Sequence, residues 1–119
     1  MKREFIELSL SEKEAERIAW DLFGIKGTAQ SLPGEIDMNF KIGVLDGNSY
    51  VLKVSRPETT VEYLQFQQEL LQHLENCDTE LEHPRAMPDR DGLLVSPYEI
   101  NSGVRHGRLL SWVPGRMYS

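Results

Sequence analysis

The chain has 119 residues, room for one domain with one core. With 39% hydrophobic and 27% charged residues it has the balance of a soluble globular protein, and no apolar run approaches the ~18 residues of a membrane span. A formal net charge of −6, with 13 basic residues scattered along the chain, argues against nucleic-acid binding, which needs a basic face to neutralise phosphates.

The first twenty residues lack the apolar stretch and small-residue cleavage site of a secretory signal. A single cysteine, Cys77, excludes an internal disulfide, and both observations point to a cytoplasmic protein. A helix is predicted from Ser11 to Phe23. Ser11 and Glu14 have the spacing of a capping box, and Ala15, Ile18, Ala19, Leu22 and Phe23 recur at helical intervals. Gly24 supplies the stop.

Three strands follow: Gly27–Leu32, Asn39–Leu45 and Ser49–Ser55. The last two alternate apolar with polar residues around the hairpin signal Asp46-Gly47-Asn48. Arg56-Pro57 ends the third, and a second helix is expected from Glu58 or Thr59 to Glu75, with Leu64, Gln67, Leu71 and Leu74 facing inward. His83–Pro88 reads as an extended connector, because its prolines disfavour helix. Strands at Gly92–Ser96 and Arg105–Val113 complete an α+β domain: a five-stranded antiparallel sheet with an N-terminal helix and a helix inserted after the third strand.

Two features carry possible chemistry. The segment Gly34, Glu35, Ile36, Asp37, Met38 and Asn39 joins two strands. A loop of this kind can lie over the phosphates of a nucleotide and offer backbone amides to their oxygens. Lys53 stands inside an otherwise apolar strand. Alternation puts it on the face of Val51 and Ser55, opposite Tyr50, Leu52 and Val54, where a cation can hold α- and β-phosphates. Read without further context, the loop is a plain hairpin and Lys53 an ordinary strand lysine.

The segments Asp21–Ile25, Leu32–Phe40, Tyr50–Ser55, Tyr63–Gln67 and Leu109–Gly115 together span nearly the whole chain. In that order they resemble the aminoglycoside phosphotransferase and choline kinase superfamily, nearest the hydroxylysine kinase and homoserine-kinase-type branch. The resemblance implies the N-terminal lobe of a protein-kinase-like enzyme. It makes Lys53 the phosphate-binding lysine and Gly34–Asn39 the loop over the phosphates. Ser111, Trp112 and Val113 fall at the hinge, where the Ser111 carbonyl would accept from a purine and the Val113 amide would donate to it. The implied ligands are ATP or GTP with Mg²⁺, and a small-molecule acceptor held by a larger lobe. In some proteins of this branch such a lobe is fused to a class III aminotransferase.

One departure stands out. The superfamily pairs its lysine with a glutamate on the second helix, whereas Gln67 occupies that place here and brings an amide without charge. Glu62 or Glu69 would substitute if the helix were rotated. His73, His83 and His106 have no metal-ligand spacing, Cys77 reads as a small filler, and Trp20 and Trp112 read as core or hinge anchors. The family's H-x-D-x-x-x-x-N loop does not occur, and the chain stops just after the hinge signature. These observations predict a small-lobe fragment without catalytic or metal-binding residues and inactive alone. Two alternatives remain: a non-catalytic α+β interaction module, and a pseudokinase-like lobe that binds nucleotide without transferring phosphate.

Overall fold

In the computed structural model, residues 10–33, 38–75, 84–100 and 103–114 are described. The elements are α1 (Glu12–Phe23), β1 (Gly27–Leu32), β2 (Met38–Val44), β3 (Ser49–Val54), α2 (Val61–Glu75), β4 (Ala86–Met87), β5 (Ser96–Ile100) and β6 (Gly103–Ser111). α1 starts at the expected capping box: the Glu14 amide donates to Ser11 Oγ at 3.1 Å, and the Ser11 amide donates to Glu14 Oε1 at 3.0 Å. It ends at Gly24, whose φ of 69° is the left-handed cap that glycine adopts without strain. Arg90 then closes the helix end, with Nη2 donating to the Trp20 carbonyl at 2.8 Å. Trp20 is therefore no core anchor. It is 51% exposed, and its ring lies 5.0 Å from the Arg90 guanidinium.

All strand pairs are antiparallel, in the order β1-β2-β3-β6-β4. β4 and β5 take successive stretches of the same edge of β6, opposite β3. The α+β class and the inserted helix are as expected, but the sheet has six strands, not five. Ala86–Met87, inside the predicted connector, pairs with Leu109–Leu110. The strand expected at Gly92–Ser96 begins only at Ser96, because Asp89 folds the preceding residues into a turn. Its Oδ1 accepts from the amides of Asp91 and Leu93, both at 2.8 Å, its Oδ2 accepts from Ser96 Oγ at 2.6 Å, and Gly92 takes a φ of 86°.

The sheet has two unlike faces. One packs under α1, where Leu10, Ala15, Ile18 and Ala19 meet Phe40, Ile42, Leu52, Val54 and Leu109. β5 is tied to the same helix by Tyr98, whose hydroxyl donates to Asp21 Oδ2 at 2.6 Å. The other face carries Val51 and Leu110, packed with Leu32, Leu71 of α2, and Trp112. α2 starts after Thr60, whose Oγ1 accepts from the Tyr63 amide at 3.3 Å, two residues beyond the latest predicted start. Its inward stripe includes Gln68, fully buried and donating to the Leu94 carbonyl at 3.3 Å, which the apolar pattern did not reveal. Among the described residues no helix is long and apolar enough to cross a membrane.

Candidate functional site

Strand register builds the candidate site on the face away from α1. Asn39 on β2 pairs with Lys53 on β3, and Lys53 pairs with Arg108 on β6. Cross-strand partners point to the same side of a sheet, so the three side chains form one row. All are buried, with 2%, 7% and 3% of their surface exposed. Lys53 Nζ donates to Asn39 Oδ1 at 3.1 Å, and Arg108 Nη1 donates to Gln67 Oε1 at 2.7 Å. A buried cation is costly unless it is hydrogen-bonded, and amide oxygens supply those bonds at both ends of the row.

Two residues along each strand, about 6.6 Å away, a second row runs through Lys41, Val51 and Leu110. The Lys41 ammonium sits 4.2 Å from the centre of the Trp112 ring. One sheet face thus offers a cationic row beside an apolar row that leads to the end of β6.

The alternation argument placed Lys53 on the correct face: Val51 shares it, while Leu52 and Val54 lie under α1. Gln67 is not held to Lys53, as the resemblance implied. Its carbonyl oxygen takes Arg108, and Asn39 takes Lys53, because β3 and β2 are in direct register while Gln67 reaches the neighbouring strand. Met38 and Asn39 belong to β2 rather than to the loop. Met38 packs into the core under α1, so its side chain lies on the wrong face to meet a ligand beside Lys53. Gly34, Glu35, Ile36 and Asp37 lie outside the described residues. The residues that flank them do not: Leu32 pairs with Asn39, and Asn39 pairs with Lys53, so the facing ends of β1 and β2 lie at the level of Lys53. Asn39 Nδ2 also donates to the Pro33 carbonyl at 3.2 Å, so one side chain links the start of the loop to the lysine.

At the other end of the face, the Ser111 amide donates to the Arg85 carbonyl at 2.9 Å, and the Arg85 amide donates to Ser111 Oγ at 2.7 Å. The Trp112 amide donates to the Ser49 carbonyl at 3.2 Å. Val113 follows, half-buried, beyond the last strand residue. Ser111, Trp112 and Val113 are thus brought to the margin of the apolar row. A concavity of about 420 Å³ at the strand end touches Ser111 and Trp112 together with Tyr50, Arg85 and Met87. Another, lined by Arg17, Ile18 and Tyr98, lies beside α1 and far from Lys53.

Arg108 escaped the sequence reading. β6 also carries Arg105 and His106, so nothing local marks Arg108, and its position beside Lys53 depends on how β6 registers against β3. Among the described residues no group of three His, Cys, Asp or Glu could hold a metal ion.

No protein-family model matches the chain, and no curated protein matches it. Solved structures do. Amicoumacin kinase hAmiN, in complex with AMP-PNP, Ca²⁺ and Ami, superposes with a TM-score of 0.75 at 17% identity, over 98% of this chain and 35% of that one. A microcompartment-associated aminopropanol kinase superposes with a TM-score of 0.70 at 19% identity, over 88% of this chain and 32% of that one. Both belong to the aminoglycoside phosphotransferase and protein-kinase-like superfamily. The chain spans about a third of each, and over that third it shares their fold.

Proposed function

We propose that the chain is the nucleotide-gripping small lobe of a small-molecule kinase, which transfers the γ-phosphoryl of ATP or GTP to a hydroxyl of an amine-bearing metabolite. The observation that carries this reading is the placement of Lys53. It is a buried ammonium on the face away from α1, held by an asparagine that also tethers the start of the β1–β2 loop. An ammonium there neutralises phosphate oxygens. Val51 and Leu110 are buried against Leu32, Leu71 and Trp112, and the backbone of Ser111–Val113 lies at the edge of this apolar cluster, where a flat base would dock.

The likeness to two kinases supports this reading, and so does the share of their length that the chain covers. Activity then depends on a larger lobe that supplies the acceptor pocket, the residue that orients the hydroxyl, and the Mg²⁺ ligands. The sequence resemblance favours the hydroxylysine kinase and homoserine-kinase-type branch.

A lobe that binds nucleotide without transferring phosphate is the second reading. It is favoured by Gln67, which holds Arg108 where the superfamily places a glutamate on the lysine. In the intact protein, Lys53→Met is expected to weaken ATP or GTP binding by about tenfold or more, the loss of one charge-assisted contact. Unchanged binding of both nucleotides rejects the nucleotide reading. Tight binding by the wild type without phosphoryl transfer to any hydroxyl-bearing amine selects the second.

A further inference from the structure

Trp112 follows Ser111, the last residue of β6, and its amide donates to the Ser49 carbonyl at 3.2 Å. Its backbone is therefore fixed against the start of β3, while its side chain packs on the Val51–Leu110 cluster. The Lys41 ammonium lies 4.2 Å from the centre of the indole, and Lys41 is the cross-strand partner of Val51. The indole thus covers the row of Lys41, Val51 and Leu110. Trp112 and Lys41 are both half-buried, at the boundary with solvent. The opposite face is closed differently, by the whole of α1. A side chain can turn about its own bonds without breaking any strand pairing, and a cation–π contact near water is weak enough to open and close.

This cover sits where the nucleotide reading needs a base. Lys53 is two residues from Val51 on β3, and the backbone of Ser111–Val113 lies at the edge of the cluster. A purine bonded to that backbone, with its phosphates at Lys53, would cross the Val51–Leu110 patch. Two flat rings do not share one patch.

We propose that Trp112 gates the base position: its indole, with Lys41 as a clasp, covers the Val51–Leu110 patch, and a purine docks there only when the indole turns off it. This rests on the nucleotide reading above and adds to it a side chain that competes with the base. The observed affinity is then the intrinsic one multiplied by the fraction of molecules whose indole is turned away. Weakening the clasp raises that fraction, and removing the ring makes it complete.

The test titrates the intact protein by calorimetry with ATP, GTP and inorganic tripolyphosphate. Tripolyphosphate carries no base, so each result is read as the ratio of nucleotide to tripolyphosphate affinity. Trp112→Ala is expected to raise that ratio by about tenfold or more, as for an open state populated at about 10% or less. Lys41→Met, which keeps the length of the side chain and removes its charge, raises the ratio by about two- to fivefold, the scale of one exposed cation–π contact. In a Trp20→Phe background Trp112 is the sole tryptophan. Its emission is expected to shift to longer wavelength at saturating nucleotide, as the indole enters water, and an unshifted emission overturns the proposal.

Should the ratio fall in Trp112→Ala, the indole stacks on the base and is no gate. Should it stay unchanged, the ring lies off the path of the base. Either result overturns the proposal and leaves the nucleotide reading standing. Should neither the wild type nor Trp112→Ala bind any of the three probes, the nucleotide reading falls and takes this proposal with it. If Trp112→Ala gives no cooperative melt, Lys41→Met decides, and a wild-type or lower ratio in that variant overturns the proposal.

Discussion

Asn39 and Lys53 are direct cross-strand partners on β2 and β3, and the asparagine carbonyl accepts from the lysine ammonium at 3.1 Å. The same asparagine donates to the Pro33 carbonyl, so it ties β3, β2 and the start of the loop together. Asn39→Ala removes a hydrogen bond to a buried charge. It is expected to destabilise the fold by about 1.5–3 kcal/mol, read by urea unfolding, and to weaken nucleotide binding in the same variant. A variant as stable as the wild type would show that the bond contributes nothing.

β2 lies tight against β1 at Gly27. A Cβ there would lie 2.5 Å from the Gly43 carbonyl oxygen and 2.9 Å from Ile42 Cγ2, and the backbone atom has nowhere to go. Gly27→Ala should therefore cost about 1–3 kcal/mol, the range for overpacking. Gly43→Ala is the control. Its Cβ meets nothing nearer than the Thr28 carbonyl oxygen at 4.0 Å, and the loss of chain entropy in the unfolded state favours a stability gain of about 0.4–1 kcal/mol. Equal effects at both positions would refute the close approach.

β1 is an edge strand whose outward amides are covered by α1. The Ala29 amide donates to Glu16 Oε2 at 2.9 Å and the Ser31 amide to Glu12 Oε2 at 2.8 Å. Carboxylates four apart on a helix meet amides two apart on a strand. The double variant Glu12→Ala with Glu16→Ala uncovers that edge. Concentration-dependent self-association by sedimentation velocity is the expected outcome, with a stability loss of about 1.5 kcal/mol or more. A double variant that stays monomeric at all concentrations would show the edge to be protected by other means.

Acid stability reports on Asp89. Burial pushes its carboxyl up, but the hydrogen bonds from Ser96 Oγ and from the amides of Leu93, Asp91 and Gly92 outweigh that and hold it below the ordinary value. A carboxyl depressed in the folded state stabilises the fold above its unfolded pKa, and that contribution is lost as pH falls through the folded one. The melting temperature of Asp89→Asn should lie below that of the wild type at neutral pH. The gap should begin to narrow as pH falls below about 4, the ordinary carboxyl range, and close only once the depressed folded carboxyl protonates. A gap that is constant across the acid range would remove the titration.

At the opposite limit, burial first, then the hydrogen bond and charge of Asp21, raise the Tyr98 hydroxyl above its ordinary value, with Arg17 pulling the other way. This contribution is complete below the unfolded pKa and disappears as pH rises through the folded one. Tyr98→Phe should lose stability at neutral pH and show a shallower decline above about pH 10. An unchanged alkaline slope would place the titration elsewhere.

Local chemistry by itself determined much of this protein. The Ser11–Glu14 box and Gly24 set the ends of α1, Asp46-Gly47-Asn48 set the β2–β3 hairpin, and period-two alternation put Lys53 on the face away from α1, because each of these depends on neighbours a few residues apart. What only the tertiary structure decided involves partners far along the chain. Arg108 lies beside Lys53 because β6 crosses back along β3 in one register out of several. Lys53 bonds Asn39 rather than Gln67 for the same reason. Gln68 turns inward to the Leu94 carbonyl although its sequence neighbours mark the position as polar. The physical cause is common to the two pairings in the sheet. A hydrogen-bonded pairing between distant segments is selected by the packing of the whole sheet, and shifting it by one residue would turn every side chain to the other face.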